Sequence, residues 1–129
     1  NIFLAAPTVA QYAALAAFSD ENMEILEQRR QAFQVRRDLL YRELAGLGLG
    51  VGGVPAGAFY IYADIARFTD DSMDFTRDLL EVSGVAVTPG LDFGAFKAAQ
   101  HVRFAYTTGL DRLEKGITRL AQFLRAGSD

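Results

Sequence analysis

The sequence predicts an α+β domain in which helices pack on a small sheet, mixed or antiparallel. Three observations carry this expectation. Three stretches repeat apolar residues at three- and four-residue steps, and a fourth is alanine-rich, so four helices are expected. Two short runs, AFYIYADI (58–65) and HVRFAY (101–106), have the composition or alternation of strands. At 129 residues, 50% hydrophobic and 22% charged, the chain has the length and balance to enclose a single soluble core. The expected order is α, α, a short β, β, α, β, β, α.

The first helix is placed at 7–18, opening on Pro7, whose fixed φ and missing N–H suit a first turn. Cap-type residues 19–22 precede a longer helix, about Met23 to Ala45, with Leu26, Phe33, Leu40, Leu44 and Leu47 as its apolar stripe. Arg29, Arg30, Arg36, Arg37 and Arg42 stand among Glu24, Glu27, Asp38 and Glu43, the pattern of a solvated face with scattered ion pairs. In the segment 46–57, Gly48, Gly50 and Gly53 match GxGxxG. A dinucleotide loop needs a strand before it and a helix after it, and here the order is reversed. The segment reads instead as a helix C-cap, a short strand and a turn.

Asp71 is expected to cap a third helix, with Asp74 in its first turn and Phe75, Leu79 and Val82 facing inward. GVAVTPG (84–90) reads as a short strand closed by Pro89-Gly90. The last helix carries Leu110, Leu113, Ile117, Leu120 and Leu124 behind a capping pattern, Thr108-x-x-Asp111.

The totals narrow the chemistry. A net charge of −3 argues against a nucleic-acid surface, which would be basic. Without cysteine, disulfides and thiolate metal sites are excluded, and one histidine, His101, cannot build a multi-histidine centre. No apolar run reaches the roughly 18 residues of a membrane span. The opening NIFLAAPTVA has neither an initiator Met nor a basic n-region, so no signal peptide is expected; it reads as a cut within a longer chain. There is no nucleophile elbow and no HExxH. Lys97 and Lys115 lack the apolar setting of a Schiff-base lysine. No catalytic residue is expected here.

Arg103 stands apart, because a guanidinium cannot deprotonate and needs water or an anion wherever it points. In HVRFAY it shares one face with His101 and Ala105, while Val102, Phe104 and Tyr106 share the other. A strand holds a binding group within the tolerance a site requires, and an arginine fork matches a carboxylate bidentately. The alternative is an edge-strand arginine that pairs with Asp92 or is solvated. His101, beside it, is either a ligand contact or a strand-end residue.

In order along the chain, APTVAQYAALAAF, RRDLLYREL, PAGAFYIYADI, GVAVTPGLDFG followed by HVRFAY, and LEKGITRLAQFL resemble the C-terminal part of fold-type I, pyridoxal-phosphate-dependent aminotransferases of class I/II. The resemblance implies the small-domain fold of that family at 21–129, with 1–20 the last helix of the large domain or an interdomain segment. It implies that Arg103 binds the α-carboxylate of an amino acid and that Phe59 lines the pocket. It implies an activity, the transfer of an amino group between an amino acid and a 2-oxo acid, in a cytoplasmic homodimer. The cofactor lysine and phosphate-binding residues would then lie in an N-terminal large domain, and this stretch alone would be inactive. A C–S lyase or decarboxylating synthase of the same fold shares the carboxylate arginine. A non-catalytic binding or regulatory module would share only the shape.

Overall fold

The computed structural model describes residues 5–127. Within it the chain divides after Ala32 into two compact units. The first holds α1 (Thr8–Ala17) and the start of α2 (Asp20–Gly46). Pro7 is the residue before α1, and its carbonyl accepts the first helical bond, from Gln11 N (3.1 Å). The tight joint between the helices is tied by Asn22 Nδ2, which donates to Ala16 O at 2.7 Å. No described residue in this unit is buried. Val9, Tyr12, Leu15 and Phe18 are each at least 70% exposed, and Leu26 is exposed too, so the expected stripe on α2 becomes buried only further along.

The second unit is built on a four-stranded sheet. In chain order its strands are β1 (Gly50–Val51), β2 (Tyr60–Asp64), β3 (Thr88–Pro89) and β4 (His101–Ala105). The order across the sheet is β1-β2-β4-β3, and every pairing is antiparallel. One face carries Ile61, Ala63, Val102 and Phe104, all buried. They join one core with Leu40 and Leu44 of α2, Phe75 and Leu79 of α3 (Ser72–Ser83), and Leu113, Leu120 and Leu124 of α4 (Leu110–Ala126). The α+β expectation is met, with the sheet wholly antiparallel.

Local chemistry explains the joints. α2 ends in a Schellman motif: Gly48 is left-handed (φ +85°), Leu49 N donates to Leu44 O, and Gly48 N donates to Ala45 O. The GxGxxG match is therefore a helix terminus followed by β1, as expected. Asp71 Oδ1 accepts from Met73 N and Asp74 N at 2.9 and 3.0 Å, capping α3.

Three expectations need correction, and one alternative is set aside. Val82 is 76% exposed, because the inward row of α3 runs Ser72, Phe75, Thr76, Leu79 and the helix ends at Ser83. α4 is capped at Gly109 with no side-chain bond, so Thr108 lies one residue too early to cap it; Leu110, in the open first turn, is 39% exposed. Only Thr88 and Pro89 of 84–90 form a strand, because residues 84–87 pair with no neighbour among the described residues. β4 lies between β2 and β3, so Arg103 does not sit on an edge strand.

Candidate functional site

The register of the sheet composes the site. Cα partners align Tyr62, Arg103 and Thr88 in one row across three strands, and residues directly opposite share a face. That face is the one away from the core. Tyr60 and Tyr62 on it are each 38% exposed, and Arg103 is half-buried among them.

Aromatic rings enclose the guanidinium. Its carbon lies 4.6 Å from the centroid of Phe93 and 5.4 Å from that of Tyr60. Both contacts are in the range where a cation is drawn to a π face, worth about 0.5–2 kcal/mol each. Nη2 donates to Thr88 Oγ1 at 3.3 Å, whereas Nε is buried with no partner. Among the described residues Arg103 forms no ion pair, with Asp92 or any other carboxylate. Leaving such a donor unpaired costs about 1–3 kcal/mol. The arrangement is a charge packed, aimed and short of an anion.

A pocket of about 480 Å³ opens beside it, lined by Tyr60, Tyr62, Phe93, Phe96, Ala98 and Arg103 among others. The loop that brings Phe93 there is held closely. Gly90 is buried where a Cβ would lie 2.3 Å from Ala98 O and 2.7 Å from His101 O. Lys97 is left-handed (φ 50°), Ala98 is buried, and Ser72 Oγ donates to Ala98 O at 3.1 Å. His101 closes the loop: its Nδ1 lies 2.9 Å from Lys97 O, which requires that nitrogen to be the donor. The imidazole stacks on Tyr62 (4.9 Å, 13°), and Tyr62 meets Phe93 edge-on at 6.2 Å. His101 thus buttresses the aromatic wall and does not line the pocket. Lys97 and Lys115 are both exposed.

Phe59 lies just outside this group, 48% exposed and edge-on to Tyr60 at 5.7 Å. Its carbonyl accepts from Tyr106 N, and Tyr106 Oη donates to Ala58 O, which fixes how the chain enters β2. Burial pushes the Tyr106 hydroxyl pKa up. Sequence reasoning missed Thr88, Tyr60, Tyr62 and Phe93. The alternation of YIYAD does separate its tyrosines from Ile61 and Ala63, but only the strand register reveals that they flank Arg103. A second cavity, about 490 Å³, lies between residues 84–87 and α4 and is lined in part by Arg112 and Arg119; Arg103 does not line it.

The chain resembles proteins of known kind along almost its whole length. It is 34% identical to the (5-formylfuran-3-yl)methyl phosphate transaminase of Methanocaldococcus jannaschii over 124 residues, 96% of this chain and 32% of that protein. The crystal structure of an aminotransferase from Mycobacterium tuberculosis superposes with a TM-score of 0.89 at 31% identity, covering 98% of this chain and 33% of the other. An aspartate aminotransferase from Thermus thermophilus, solved with maleate, gives a TM-score of 0.76 at 39% identity, over 89% of this chain and 29% of that one. The chain thus spans about a third of the length of the relatives it matches. The family model of aminotransferase class I and II matches residues 1–120, and this chain belongs to that family.

Proposed function

We propose that this chain is the C-terminal, substrate-gripping part of a pyridoxal-phosphate-dependent aminotransferase, and that Arg103 holds the α-carboxylate of the amino acid and of the 2-oxo acid. The observation that carries this reading is the guanidinium itself, fixed on an interior strand, stacked by Phe93 and Tyr60 and lacking an anion among the described residues. A substrate carboxylate supplies that anion through two parallel charge-assisted hydrogen bonds. The Thermus relative solved with maleate, a dicarboxylate, supports the same chemistry. Phe59, exposed beside Tyr60, borders the bound substrate in this reading.

The described residues do not fit the cofactor. The only lysines, Lys97 and Lys115, are exposed, and neither lines the pocket at Arg103. The cofactor therefore belongs to a large domain outside these residues, and no step of its chemistry is assigned to this chain. Of residues 1–20, expected as the last helix of that domain or an interdomain segment, 1–4 lie outside the described residues; in this reading the large domain covers Val9, Tyr12, Leu15 and Phe18. The whole protein is a cytoplasmic homodimer in this reading. No helix among the described residues is long and apolar enough to cross a membrane.

The test is Arg103→Ala in the complete enzyme. Losing one partner of a desolvated charge pair costs about 2–5 kcal/mol, or about 30-fold to several-thousand-fold in kcat/KM. Arg103→Lys should recover part of it, since a point charge lacks the fork. The absorbance of bound pyridoxal phosphate should hold, and amines without a carboxylate should lose far less. Amino acid turnover within about twofold of wild type would remove Arg103 from the role.

A further inference from the structure

We infer that Thr88 is a positioning residue for Arg103: its hydroxyl sets the direction in which the guanidinium presents its fork to the substrate carboxylate. The inference rests on the carboxylate role proposed above and adds the residue that aims it. Thr88 and Arg103 are directly opposed across the β3–β4 pairing, and Thr88 Oγ1 accepts from Nη2 at 3.3 Å. This is the one side-chain hydrogen bond that Arg103 makes among the described residues, and Nε has no partner to compete with it. The rings of Phe93 and Tyr60 attract the guanidinium at 5.4 Å or less but offer its N–H groups no acceptor in the guanidinium plane, so they do not set where each N–H points. An acceptor fixed at one Nη removes that freedom. Threonine suits the task because its χ1 is stiff on a strand, which places the oxygen as firmly as the backbone does.

Steady-state kinetics of the complete enzyme test this with T88V, T88A, T88S and R103A, using an amino acid and an amine that lacks a carboxylate. Valine keeps the β-branched shape and removes only the acceptor, and alanine reaches the same end without depending on how valine packs. Both should raise KM for the amino acid about 10–150-fold, the scale of one hydrogen bond to a charged group, with kcat within about twofold. T88S, which keeps the hydroxyl but loses the stiff χ1, should fall between the parent and T88V. The carboxylate-free amine and the melting temperature should not respond. If R103A collapses amino acid turnover while T88V and T88A leave KM unchanged, the positioning role is wrong and the carboxylate role stands. If T88S fails like T88V, or the amine loses as much as the amino acid, Thr88 is merely structural and the inference falls. If R103A itself is silent, the carboxylate role fails and takes this inference with it.

Discussion

The two faces of the sheet are made by alternate residues of the same strands, yet they obey different rules. On the core face, Ile61, Ala63, Val102 and Phe104 are at most 5% exposed and belong to one apolar cluster with residues of α2, α3 and α4. On the open face, Tyr60, Tyr62, Thr88 and Arg103 carry hydroxyls and a charge, and a buried donor there has no partner. The first face gains stability from burial; the second spends some of it to keep a cation poised. Function in such a domain sits where the packing rule is broken, because an unsatisfied group binds what it lacks.

The largest effect that separates the faces should come from adjacent residues of β2. Ile61→Ala, on the core side, should cost about 2–5 kcal/mol of unfolding free energy through lost burial and a residual cavity. Tyr62→Ala, one residue on and 38% exposed, should cost less than about 1 kcal/mol yet weaken the proposed carboxylate binding by loosening Phe93 and His101. Denaturant melts of both variants measure the contrast, and equal destabilisation would mean that the open face is also structural.

Gly90 is where the loop carrying Phe93 is packed against the open side of the sheet. A methyl group at this position would meet Ala98 O, His101 O and Tyr62 Oη, two of them backbone atoms that cannot swing aside. Gly90→Ala should cost about 1–3 kcal/mol by overpacking and should displace the loop that carries Phe93. A melt together with an amino acid KM would register both. A change in stability without a change in KM would show that Phe93 does not depend on this packing.

The smallest effect lies away from the sheet, on the exposed start of α2. Hydrogen bonds from Arg30, and then from Gln31, together with the Arg30 charge, hold the Glu27 carboxyl down at about 2 against a usual 4.5. Because the folded pKa is the lower one, the stabilisation is present above about 4.5 and is lost as pH falls toward 2. Arg30→Gln should return the Glu27 pKa most of the way to its ordinary value, read by NMR titration of its side-chain carboxyl. The effect on global melting should be negligible, as is usual for an exposed i, i+3 pair. A melt that moved by several degrees would mean that this helix end contributes to the fold.

Periodicity and caps determined the helices, the two longer strands and the α+β class, because 3.6- and 2-residue repeats and Asx caps are local physics that a sequence displays directly. They also determined which side of β4 is apolar, so Arg103 could be singled out before its neighbours were known. Local patterns misjudged element ends such as Val82 and Thr108, where one residue of helix more or less turns a side chain by 100°. The tertiary structure alone decided that β4 is an interior strand and that Tyr62, Arg103 and Thr88 share a row. It also decided that Phe93, arriving through the Gly90 loop, sets its ring 4.6 Å from the guanidinium carbon. Strand order and register are contacts between segments distant in the chain, set by which faces can be buried together, and no single stretch of sequence contains them.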